Sequence, residues 1–121
     1  MPTIALAASK VQRAVQKWLW ETMADDDVGG VAGADAGSPS FADKTVHVTG
    51  TFGGATVTIE GSNDGTNFVT LNDAGGSALS FTSAGLKTIL ENPLEIRPKT
   101  AGGSGTDVDV IIIARGTLQL R

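Results

Sequence analysis

The chain has 121 residues, no cysteine, and 13 acidic against nine basic side chains, for a formal net charge of −4. Without thiols there is no disulfide, zinc–thiolate site or cysteine nucleophile, and the redox compartment is left open. Scattered Lys and Arg in an acidic chain exclude a phosphate-neutralising nucleic-acid surface, and no apolar run reaches the ~20 residues of a membrane span.

A chain of this length suggests a single domain, able to bury roughly two thirds of the surface it exposes when unfolded. The opening MPTIALAASK has no basic residue ahead of a short apolar part. That is not the pattern of a secretory leader, and synthesis in a cytoplasm without export is expected. Residues 1–14 are expected to form an extended N-terminal arm, and residues 15–121 a β-sandwich domain. Lys17–Met23 (KWLWETM) carries Trp18 and Trp20 at period two, which predicts a strand over about Val15–Met23. A competing helical reading of Ala8–Leu19 rests on Val11, Ala14, Val15, Trp18 and Leu19 at helical spacing. Residues 24–40 are small, acidic and glycine-rich and read as a long loop.

The strongest pattern runs from Thr45 to Leu71. Val46 and Val48 alternate with Thr45, His47 and Thr49, then Val57 and Ile59 alternate with Thr56, Thr58 and Glu60. Strict alternation is what a strand with one buried face requires. Phe52-Gly53-Gly54-Ala55 and Asn63-Asp64-Gly65 supply reversals, the second being a strong hairpin signal. Further strands are predicted over Thr66–Asn72, Ala78–Thr82 and Leu86–Leu90, the last with a helical turn as the alternative. Pro93 and Pro98 bracket Leu94–Arg97, which suggests an edge strand. Thr106–Arg115 is the last. The pattern predicts an all-β, single-domain antiparallel sandwich of jelly-roll or Greek-key type with about eight strands. On the final strand Val108, Val110, Ile112 and Ala114 share one side, and Ile111 and Ile113 share the other with Asp107 and Asp109. Either that second side is covered internally or it meets another subunit.

No pattern here carries catalysis, and the chain is expected not to be an enzyme. His47 is the single histidine and lies on a threonine-lined strand face. No serine stands in a nucleophile-elbow motif. Asp25-Asp26-Asp27 would suit Ca²⁺ by charge but lacks the spacing of a calcium loop, so a solvated acidic loop is the plainer reading and no metal or cofactor is expected. Gly53-Gly54 and Gly75-Gly76 do not match a phosphate-binding loop. Trp18 and Trp20 share a face, which favours a core or a subunit interface over stacking on sugar rings.

The segments FADKTVHVTGTFGGATVTIEGSNDGTNFVTLND and IRPKTAGGSGTDVDVIIIAR, about Phe41–Arg115, together with Trp20–Met23, resemble a family of small tailed-bacteriophage structural proteins. These are β-sandwich or jelly-roll domains that decorate or cement the capsid. The resemblance implies a non-enzymatic virion component on the capsid surface, made in the bacterial host cytoplasm. Its implied partners are the major capsid protein and further copies of itself, as a homotrimer. With that implication, Trp18, Trp20, Ile111 and Ile113 are the expected interface residues. The shorter GSNDGTNF also resembles a hairpin of discoidin-like carbohydrate-binding sandwiches. That supplies an alternative function, a carbohydrate- or receptor-binding module of a phage tail or baseplate.

Overall fold

The computed structural model describes residues 3–12, 15–33 and 41–116. They form eleven strands: β1 (Thr3–Ile4), β2 (Ala7–Gln12), β3 (Val15–Met23), β4 (Val28–Gly29), β5 (Asp43–Thr51), β6 (Thr56–Ser62), β7 (Val69–Thr70), β8 (Ser80–Phe81), β9 (Gly85–Ile89), β10 (Glu95–Ala101) and β11 (Asp107–Arg115). One sheet has the order β1-β4-β10-β6-β7, with β8 also on β6; the second is β2-β3-β11-β5-β9. All pairings among the described residues are antiparallel except β1 with β4. The eight predicted strands are β3 and β5–β11. The additional three are β1 and β2, within the expected arm, and β4, within the expected loop.

The helical alternative for Ala8–Leu19 does not hold. β2 and β3 pair antiparallel, Ala7 opposite Leu19 and Lys10 opposite Gln16. Two strands give Trp18 and Trp20 one shared inward side, whereas a helix would have turned them about 200° apart. Residues 3–12 of the expected arm contribute β1 to one sheet and β2 to the other. Residues 34–40 of the loop, including Pro39, lie outside the described residues.

The alternation read from sequence sets which side is buried. Val46 and Val48 of β5, Val57 and Ile59 of β6, and Val108, Val110, Ile112 and Ala114 of β11 are all fully buried between the sheets. Phe52-Gly53-Gly54-Ala55 does reverse the chain, with Ala55 N donating to Phe52 O at 2.9 Å and φ of 60° and 86° at the two glycines. It does not close a hairpin: β5 lies in one sheet and β6 in the other. The 102–105 turn makes the same passage from β10 to β11. The two crossings are tied together by Ser104 N donating to Gly53 O at 3.0 Å and the Thr106 hydroxyl donating to Phe52 O at 2.8 Å.

β10 corrects the edge-strand expectation for Leu94–Arg97. It is interior, paired with β6 from Glu95 to Ala101 and with β4 at Lys99. Ile96 N and Thr100 N both donate toward the 27–32 segment, and Pro98 lies between them with the same direction. The proline therefore withholds a donor only where β4 runs past. Its ring fits because residue 29 is glycine. A Cβ there would sit 2.5 Å from Pro98 Cδ and 2.9 Å from Trp20 Cδ1.

A fully buried cation, Lys44, also lies on the inner face. It is aligned with Ile89 and Ala114, and its Nζ donates to Asn92 Oδ1. Burial pushes its pKa down to about 8.

Two predictions follow from these packings. Gly29→Ala should cost about 2–3 kcal/mol in urea unfolding, because the methyl must displace a proline ring and an indole in a packed core. For Lys44, the unfolded chain binds more protons than the folded one between about pH 8 and the ordinary lysine value, so stability should rise with pH through that window. Lys44→Met should be more stable than the parent at pH 7, by about 1–3 kcal/mol, and the gap should close by pH 10. A parallel pair of stability–pH curves would show that Lys44 is not desolvated.

Candidate functional site

The outer side of the five-stranded sheet is where the unexplained isoleucines of the sequence come to lie. Strand alternation turns Ile111 and Ile113 away from the core, and both are half-buried. Register then assembles rows across the sheet. Ile111 stands opposite Leu19 on one side and His47 on the other; Ala7 follows Leu19 and Leu86 follows His47. Leu86 is 68% exposed. In the next row Ile113 lies between Lys17 and Thr45. The result is an apolar centre, Leu19–Ile111–Ile113, on a sheet face that no described strand covers.

The charges at the two ends of this face differ in sign. Along β11 the outward residues read Asp107, Asp109, Ile111, Ile113, Arg115. Along β3, which runs the other way, Glu21 sits at the acidic end and Lys17 toward the basic end. Asp109 is fixed at a bulge between Val108 and Val110: its Oδ1 accepts from Thr22 N at 2.9 Å, with Thr22 at a φ of 51°. A β-branched residue in that region is strained, so the carboxylate is held in place by backbone the fold maintains at a cost.

Trp18 and Trp20, expected at an interface, are corrected to core residues. Both have 0% exposure, and Trp20 Nε1 donates to Gly30 O at 2.8 Å. Alternation explains this: the two indoles face inward and Leu19 between them faces out. Fully buried rings also leave nothing for a sugar to stack on.

The acidic run acts as a cap on backbone. Asp25 Oδ1 accepts from Thr106 N at 3.0 Å, Asp26 Oδ1 from Gly102 N at 2.8 Å, and Asp27 Oδ2 from Ala24 N at 2.7 Å. The hydroxyl and backbone N–H of Thr106 hold the Asp25 carboxyl below its ordinary value. The run therefore ties the 24–27 segment to the crossing between β10 and β11. Among the described residues no three His, Cys, Asp or Glu side chains group as a metal site.

A cleft of about 320 Å³ lies beside the β6–β7 hairpin, between Ser62, Asn63, Asn67 and Val69 on one side and Glu91, Asn92 and Pro93 on the other. Asp64 organises the hairpin. Its carboxylate accepts from Thr66 N, Asn67 N, the Ser62 hydroxyl and Asn67 Nδ2, all at 2.8 Å, and these bonds hold it far below the ordinary carboxylate range. Asn63 Oδ1 accepts from Leu94 N at 2.9 Å. Burial pushes the Glu91 carboxyl up, but hydrogen bonds from the Asn72 backbone and side chain outweigh it and hold it low. Nearby, Arg97 stacks 3.7 Å above Phe68 and donates to Glu60 at 3.0 Å.

In the sequence Leu19 figures only in the helical alternative and Leu86 only as the start of a strand, neither as part of an outer face. For Leu19 the signal was present, because it is out of phase with the two tryptophans. The cleft had none, since it depends on residues 91–93 meeting a hairpin almost thirty positions earlier.

No protein-family model matches the chain, and no curated protein matches it in sequence. Among solved structures it is similar in fold to the SPBc2 prophage-derived protein YomS, at a TM-score of 0.61 and 12% identity, over 88% of this chain and 98% of that one. The Schizosaccharomyces pombe Cnp3 cupin domain aligns at a TM-score of 0.47 and 11% identity, over 93% of this chain and 60% of that one. The chain is an all-β sandwich of the kind seen in a prophage-derived protein.

Proposed function

We propose that this protein is a non-enzymatic structural component of a tailed-phage virion that binds the outside of the capsid and stabilises the head lattice. The observation that carries this reading is the apolar centre of Leu19, Ile111 and Ile113 on a sheet face left uncovered by the described strands. Such a face is an assembly surface in a protein whose other outer side is polar. The fold likeness to a prophage-derived protein, spanning nearly the whole of both chains, supports the phage setting. In this reading the contribution is mechanical. Each copy bridges neighbouring capsid subunits, and repeated weak contacts add through effective concentration.

A second reading is favoured by the cleft at the β6–β7 hairpin, whose amide and carboxylate groups are held in place by bonds to backbone. It would make the protein a carbohydrate- or receptor-binding module of a tail or baseplate. Fixed donors and acceptors beside Val69 and Pro93 suit a polyhydroxylated ligand.

The decisive measurement is co-sedimentation with expanded capsid shells of the phage or prophage that encodes the chain. Saturable binding at a fixed ratio to the major capsid protein, with a raised melting temperature of the shell, is the expected result. Shells left bare at micromolar protein would reject decoration. A glycan array that lights up, with the signal lost in Asn67→Ala, would then transfer the assignment to the second reading.

A further inference from the structure

We infer that the outer face of the β2-β3-β11-β5-β9 sheet is self-complementary, and that its occupant is a second copy of this chain related by a two-fold axis. The axis lies in the plane of the interface, across the strands. This deepens the structural-protein reading and rests on it for the use to which the pair is put, but not for the pairing itself.

The argument comes from the order of side chains along the face. A rotation about an axis across the strands reverses each strand while leaving the strand order unchanged. With the axis between Ile111 and Ile113, Ile113 of one copy meets Ile111 of the other. Thr45 meets His47, and the Lys17 stem lies over Leu19. Arg115 at the basic end comes over Asp109, the carboxylate pinned by the Thr22 bulge, and the Lys17 ammonium reaches toward Glu21. Each contact occurs twice by symmetry, which is the property of an isologous interface. Asp43, beside Arg115 in its own sheet, would meet Thr49 of the second copy and oppose no like charge.

The competing arrangement fails on the same residues. An axis along the strands would leave their direction unchanged and stack Asp109 on Asp109 and Arg115 on Arg115. Like charges brought together at a desolvated face are strongly disfavoured. The acidic, apolar, basic order along β11 thus distinguishes one two-fold arrangement from the other, within the ~30° rotation normal for stacked sheets. Size is consistent too. Five strands about 4.8 Å apart and up to nine residues long give a footprint of roughly 600 Å², comparable to the ~800 Å² that each partner of a standard interface buries. A pair, rather than the homotrimer implied by the family resemblance, is what this face supports.

The test uses the full chain and light scattering behind a sizing column, with circular dichroism to verify folding. The parent should run at twice the chain mass. Ile111→Lys should be a folded monomer, since the position faces outward. Lys17→Glu should weaken pairing about tenfold or more, and Lys17→Glu with Glu21→Lys in the same chain should restore it, because the swap regenerates both cross-axis contacts. A parent that is monomeric at its highest soluble concentration overturns the inference. So does an oligomer whose mass is unchanged by Ile111→Lys, or a charge swap that fails to restore what the single change removed. Capsid binding is read separately. A pair that ignores shells rejects decoration alone, and a monomer that binds them rejects the pairing alone.

Discussion

The position of Trp20 constrains much of the rest of this sandwich. Its indole belongs to one sheet, is fully buried, and must place its N–H somewhere, because a buried unpaired donor is costly. The partner is Gly30 O, just past β4 of the opposite sheet. That bond draws the 28–30 segment over the ring. The close approach requires glycine at 29, and the glycine in turn makes room for Pro98 inside β10. Gly30 N donates to Ile4 O at 2.8 Å, so the same segment gives β1 its parallel neighbour. The N-terminal segment is thereby joined to the sheet by hydrogen bonds, with Ile4 and Leu6 packed against the common core.

The two outer faces that result are chemically unlike. On the six-stranded side, outward positions carry Thr56, Thr58, Glu60, Arg97 and Lys99, and the Arg97–Glu60 pair lies against the Phe68 ring. That surface is at ease in water, and its ion pair is half-buried. On the five-stranded side the centre is branched aliphatic. The difference does not arise from the core, since both inner faces are fully apolar apart from Lys44 and the capping polar groups. It arises from the out-of-phase residues alone, which are free of packing demands and so report what each surface is for.

Those residues also explain what was legible in the sequence. Alternation is local, so β3, β5, β6 and β11, with the inward side of most of their residues, could be read directly; the bulge at Glu21 and Thr22, which turns Met23 rather than Thr22 inward, could not. Which sheet each strand joins is not local. The Phe52–Ala55 turn has the glycine chemistry of a hairpin, and only the pairing of β5 with β11 and of β6 with β10 makes it a crossing. β1, β2 and β4 were missed for a related reason. The two-residue β1 and β4 carry no period, β4 being held by Lys99, Ile4 and Trp20 rather than by its own propensity, and the six residues of β2 (AASKVQ) show no regular apolar–polar alternation. Pro98 misled because the rule against interior proline assumes a neighbour that needs the missing donor. Trp18 and Trp20 were placed together correctly, but a shared face does not by itself distinguish a core from an interface; the full burial of both does. The aspartates read as a solvated loop because nothing in a sequence shows that amides 76 and 81 residues later will reach Asp26 and Asp25.

How such a chain associates follows from what its edges allow. An exposed strand edge is the easiest route to pairing between copies, and proteins blunt it with short strands, charge or proline. Here the six-stranded sheet ends in β1 and β7, two residues each, and the five-stranded sheet ends in β9, five residues including Lys87, and in β2, six residues including Lys10. Edges this short give little ladder to extend. The broad outer face of β3, β11 and β5 is long, regular and centred on Leu19, Ile111 and Ile113. Charge at its two ends keeps that centre from joining arbitrary apolar surfaces, because any partner must also match acid at one end and base at the other.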